Sequence, residues 1–177
     1  MGLFYDHLDG RTRALMLDEM EGDTAANRLH ISPYLSGQGQ RDYPNLLRTA
    51  LQNGTDDSLA AALSQQRRLE HAAPRRSQSD GFSLAAVPSN AAQVLAESEF
   101  NRYYIRALAR RAIEDGISEL IVVRAKPVEH PRPESEALVE TTIAPQAILD
   151  DLRAHSGEPP SLAVPAGPGS GLSVRLP

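Results

Sequence analysis

Residues 91–115, AAQVLAESEFNRYYIRALARRAIED, and the stretch that follows, GISELIVVRA at 116–125, decide the fold. Leu95, Ile105, Leu108, Ala109, Ala112 and Ile113 return at helical spacing and mark one long amphipathic helix with a stripe for a core. Ser89 or Asn90 supplies the N-cap, and Gly116 supplies the left-handed residue at which such a helix stops. Ile117, Ile121, Val122 and Val123 are β-branched and closely grouped, which predicts a buried strand over 117–125 packed on that helix.

Downstream, Pro127, Pro131 and Pro133 hold the chain extended, a second strand is expected over Glu136–Ile143, and Pro145 suits the first turn of a helix over Gln146–His155. The last 22 residues hold five Pro and four Gly, so they can bury little apolar area; Leu172, Val174 and Leu176 alternate as an edge strand or a docking arm would. Upstream, Phe82–Val87 reads as a short strand closed by Pro88, and the polar run from His71 to Gly81 reads as a mobile linker. Before it come three helical patterns: Asp9–Asn27 with Asp9 as N-cap and Leu15, Met16 and Met20 inward; Tyr43–Gln52, stopped by Asn53-Gly54; and Leu59–Leu69, capped by Asp57 or Ser58. The expected fold is α+β and helix-dominated. It has a helical subdomain over 1–70, a linker over 71–81, a small α+β domain over 82–155 in which the long central helix packs on a small β-sheet, and an extended Pro/Gly-rich C-terminal arm over 156–177.

Composition bounds the chemistry. Leu, Ile, Val and Phe make up 40 of 177 residues, enough for one modest core, and with five Tyr, three Phe and no Trp that core must rest on Leu, Ala and Val. The absence of cysteine excludes disulfide frameworks, thiolate nucleophiles and cysteine-held zinc or iron–sulfur sites. The longest run of large apolar residues, Leu120–Val123, falls far short of a membrane span, and the N-terminus lacks a basic region followed by an apolar one, so a soluble, unexported chain without membrane partners is expected. A net charge of −5 gives no general affinity for nucleic acid.

Against that balance, Arg102, Arg106 and Arg110 recur every four residues on the long helix with Arg111 beside them, and 100–132 holds seven basic and four acidic residues. Such a stripe can pair phosphates or an acidic protein surface; the bland alternative is a solvated face with Glu99–Arg102 and Arg110–Glu114 as weak helix pairs. Phe100, Tyr103 and Tyr104 would stack bases if the stripe met single-stranded nucleic acid, and otherwise anchor the core.

Glu129, His130, Glu134 and Glu136 are the densest group of acid–base or metal-ligating side chains, but no helical His spacing accompanies them and Pro131 and Pro133 place them in an extended connection. Glu134-Ser135-Glu136 resembles the Glu-x-Glu pair of ADP-ribosyltransferases, without the other elements of that family. Gly167-Pro168-Gly169-Ser170-Gly171 lacks the Lys and following helix of a phosphate loop and reads as flexible linker. No nucleophile-elbow pattern is present, and no catalytic residue, metal or cofactor is assigned.

The segments EFNRYYIRALARRA at 99–112 with Glu114-Asp115-Gly116-Ile117, RPESEAL at 132–138 and SGLSVRL at 170–176 resemble an uncharacterised type of phage-derived protein from high-GC actinobacteria. The pattern is also loosely similar to minor head proteins of tailed phages, which couple a helical N-terminal part to a small mixed domain. That resemblance implies a non-enzymatic structural or assembly protein of a phage particle, in the cytoplasm or the virion. It would dock on itself or on capsid or connector subunits through Arg102, Arg106, Arg110, Arg111, Leu172, Val174 and Leu176. Two alternatives stand beside it: a nucleic-acid-associated regulator using Arg102, Arg106, Arg110 and Tyr103, and an enzyme using Glu134 and Glu136.

Overall fold

The structure is a computed structural model and describes residues 2–65, 67–76, 82–165, 167 and 169–177. In chain order the elements are α1 (Gly10–Ala25), α2 (Gly37–Asn53), α3 (Asp56–Leu63), β1 (Ala72–Arg76), β2 (Phe82–Ala86), α4 (Ala91–Glu114), β3 (Leu120–Arg124), α5 (Pro133–Glu136), β4 (Thr142–Ile143), α6 (Pro145–Ala154) and β5 (Leu172–Arg175). The fold is α+β and helix-dominated, with the long helix α4 at its centre and a small antiparallel sheet against it. Among the described residues no helix is long and apolar enough to cross a membrane.

Local chemistry explains the boundaries. Asp9 caps α1 by accepting the Thr12 amide at 2.9 Å, and Thr55 and Ser58 cap α3 reciprocally. Helix α2 begins earlier than expected because Ser36 accepts the Gly39 amide; it continues through Pro44, which forfeits one helical bond, since Tyr43, Leu47, Ala50 and Leu51 are anchored in the core. Helix α3 ends at Leu63 rather than Leu69, and Leu69 instead bridges Leu35.

One apolar core joins α1 (Leu15, Met16, Met20), α2, α3 (Leu59, Leu63), nearly all of α4, Leu120 and Val122 of β3, α6 and β5. The boundaries drawn from composition at 70, 81 and 155 therefore do not separate cores: α1 and α3 pack directly on α4. Phe100, Tyr103 and Tyr104 belong to that core, and Tyr5 wedges against Phe100 and Tyr104 at ring distances of 5.0 and 4.8 Å.

The three-stranded sheet has the order β4-β3-β5, with Leu120 opposite Ile143 and Val122 opposite Val174. The strand expected over 136–143 is instead the single turn α5 followed by the two-residue β4. Pro133 starts a helical turn, and Glu140 takes a φ of 62°, which interrupts any extended run.

The last residues are not a free arm. They return to pair β5 with β3 and bury Leu172, Val174 and Leu176 inside the chain. Gly171 permits the return: at φ 66° it lies so close to the Lys126 carbonyl that a Cβ would stand 2.7 Å from that oxygen. The segment 71–81, expected as a linker, supplies β1, paired over 72–76 with β2 over 82–86; residues 77–81 lie outside the described residues.

Candidate functional site

Arg102 and Arg106 of the α4 arginine stripe are buried and Arg110 and Arg111 half-buried, so the stripe is not the solvated face that is one of its two readings. Arg106 is 2% exposed and is held by two carboxylates of α1: Glu19 at 2.6 Å and Asp23 at 2.5 Å. Its guanidinium also lies 5.1 Å from the centre of the Tyr103 ring, whose hydroxyl donates to Asp23. Glu19 further receives Arg153 of α6 at 2.5 Å and Arg110 at 3.4 Å. Burial alone would raise the Glu19 carboxyl, but Arg153 and Arg106 outweigh it and hold it below the usual carboxylate range. Arg111 reaches the α1 cap, at 2.6 Å from Asp9.

The same series thus joins α4 to α1 and α6, and the expected Glu99–Arg102 and Arg110–Glu114 helix pairs do not form. A phosphate reading of Arg102, Arg106, Arg110 and Tyr103 loses its geometry, because Arg102, Arg106 and Tyr103 are buried and Arg110 sits beside Asp18 and Glu19. Spacing showed that these arginines share a face; it did not show that α1 brings acidic residues to that face.

Leu172, Val174 and Leu176 are likewise occupied within the chain. The outer side of β5 is finished by Asn101 of α4, which donates to the Leu172 carbonyl at 2.8 Å and accepts from the Ser173 hydroxyl at 2.6 Å. Glu129, His130, Glu134 and Glu136 are all exposed, Glu136 pairs with Arg124 at 2.6 Å, and no group of three metal-ligating side chains is found among the described residues.

Two features are more accessible, a cleft that sequence reasoning missed and a ribbon of which it found only the strand over Phe82–Val87. The first is a cleft of about 260 Å³ between the first half of α4, the 30–34 loop and the C-terminal residues 157–160, 165 and 167. Its walls are mostly apolar (Ala91, Val94, Leu95, Pro159, Pro160, Pro165), with Glu99 and Arg102 at its base and His30, Ser32, Tyr34 and Ser98 around them.

Arg102 gives its two terminal nitrogens to backbone carbonyls at the end of α6, those of His155 at 2.6 Å, Glu158 at 3.0 Å and Leu152 at 3.3 Å; its Nε is buried without a partner. Glu99 is 3% exposed, and its carboxyl makes no hydrogen bond or ion pair with the described residues. Burial raises Glu99 to about 7, with Asp23 adding to the rise and Arg102 and Arg106 opposing it. Burial, and then the charge of Arg102, lower His30, which favours its neutral form. Gly157, at φ 77°, lets the His30 ring close on the backbone there, where a Cβ would stand 2.0 Å from Nδ1. No spacing rule joins residues 30, 99 and 158; the fold alone assembles them.

The second feature is the β1–β2 ribbon. Its strands pair with each other and with no third strand among the described residues, and Leu84 is 78% exposed on β2. Comparison of the chain with protein-family models, curated proteins and solved structures finds no match.

Proposed function

We propose that this chain is a non-enzymatic structural or assembly protein, of a phage particle, that acts by protein–protein docking through the β1–β2 ribbon. The observation that carries the reading is a two-stranded ribbon with both outer edges unpaired by any described strand and a large apolar side chain, Leu84, in solvent. An isolated two-stranded ribbon is marginal in water, and free strand edges with an apolar residue are templates for a further strand. The resemblance of 99–117, 132–138 and 170–176 to phage-derived chains supports placing the assembly in a particle.

The partner is a second copy of this chain. Antiparallel edges are self-complementary about a twofold axis, so a second copy can add its own β1 or β2 to the open edge. Capsid or connector subunits would use the same edge.

Size-exclusion chromatography with light scattering, run over a dilution series, tests this. The full chain is expected to give a discrete oligomer that dissociates on dilution. Leu84→Lys, a change at an exposed site, is expected to give a monomer with an unaltered melting temperature. A full chain that is monomeric at every concentration, or a Leu84→Lys variant that associates like the parent, overturns the reading.

A further inference from the structure

The cleft over Glu99 has a different character from the ribbon and carries an inference of its own. Three of its properties belong together. Its walls are largely apolar, its volume of about 260 Å³ suits a small aliphatic group, and a carboxyl that is almost wholly buried lines it without a partner among the described residues. Buried carboxyl groups are ordinarily hydrogen-bonded or paired, and one left open toward a cleft asks for a donor from outside.

Arg102, one helical turn away, does not fill that role. Its donors at both terminal nitrogens go to the carbonyls that end α6, where the negative end of the helix balances its charge. The remaining polar lining consists of hydroxyls (Ser32, Tyr34, Ser98), the imidazole of His30, which can accept as well as donate, and the exposed Glu158 at the rim. The cleft is therefore rich in acceptors, and Glu99 is its buried carboxylate, whereas Glu158 stands exposed at the rim.

We propose that this cleft binds an aliphatic ammonium group, with the ammonium on Glu99 and the alkyl chain against Val94, Leu95 and the prolines of 159–165. The proposal stands independently of docking through the ribbon. A bound ammonium favours the ionised carboxyl, so binding takes a proton off Glu99 and strengthens as pH rises toward and past neutrality. The groups that set this balance are Arg102, Arg106 and Tyr103 of α4, Asp23 of α1, Tyr43 of α2, His30 of the preceding loop, and Glu158 at the cleft rim. Neutral His30 adds no opposing positive charge above neutral pH.

The ammonium could come from a free alkylamine or from a lysine side chain of another protein, and the probes separate the two. Amide chemical shifts of residues 30, 32, 98, 99 and 157 are followed while n-butylamine, butan-1-ol, butyrate or N-acetyl-lysine amide is added to the full chain. Saturable shifts with n-butylamine are expected, with affinity at least about tenfold higher at pH 8 than at pH 5, and at least about tenfold above that of butan-1-ol or butyrate. Glu99→Gln is expected to remove that preference, and Val94→Phe, which fills the cleft and leaves Glu99 in place, is expected to abolish binding. Equal affinity for the lysine amide assigns the site to a protein side chain, and binding of n-butylamine alone assigns it to a free amine. Butyrate binding as tightly as n-butylamine, an unchanged titration in Glu99→Gln, or no saturable shift with either amine overturns the proposal.

Discussion

Arg106 illustrates how a charge can be buried at tolerable cost: it has a carboxylate on each side, an aromatic face beneath it, and its partners on a different helix. Removing it leaves Glu19 and Asp23 inside the chain with reduced compensation, so Arg106→Met is expected to lose about 3–5 kcal/mol of stability in urea denaturation. Adding Glu19→Gln and Asp23→Asn should recover much of that loss, since the penalty lies in the stranded carboxylates. If the triple variant is no more stable than the single one, the ion pairs are not what holds α1 to α4. Glu99 behaves in the opposite sense. Its folded pKa of about 7 lies above the ordinary carboxyl value, so between those values the native state holds a proton that the unfolded chain has released. Stability therefore falls as pH rises from the ordinary carboxyl range to about 7 and levels off beyond it. Relative to Glu99→Gln, the parent is expected to lose about 3 kcal/mol between pH 5 and pH 8. Parallel stability–pH curves for the two proteins would contradict this.

At the level of elements, legibility followed burial. Helix α4 and strand β3 could be read because one side of each faces the core and the periodicity records it. Strand β1 could not: His71 to Gly81 shows the polar pattern of a linker without alternation, and Pro74 is tolerated in a strand that pairs only with β2 among the described residues. Strand β5 was legible as alternation, but an edge strand and a free arm share that pattern. The difference lies in the open side of β3 and in Asn101, neither of which the tail records. The same holds for the cleft, whose residues come from segments far apart in sequence. Two expectations follow for β5. Asn101→Leu leaves the Leu172 carbonyl and Ser173 hydroxyl without their partner and is expected to cost about 1–3 kcal/mol in denaturant titration. Ending the chain at Gly157 strips away Leu172, Val174 and Leu176, each buried. At about 1.5–3 kcal/mol for each fully buried large side chain, the shortened protein is expected to lose its cooperative thermal transition. A truncated chain that melts like the parent would mean that β5 is dispensable.

For the whole molecule, one core is built around α4, and no described side chain of the β1–β2 ribbon belongs to it. Charges that looked available for partners are spent inside, on α1 and α6, and the outer edges of β1 and β2 pair with no described strand. Docking should therefore be visible first at β1 and β2 and not at the arginine stripe or the C-terminus. Hydrogen exchange of the backbone amides, measured on the full chain at low and at high protein concentration, tests this most directly. The account predicts that amides of residues 72, 73, 75, 76 and 82–86 become protected as concentration rises while those of α4 and β5 stay as they were. Protection that is independent of concentration in the ribbon, or that grows instead along α4 or β5, would contradict it.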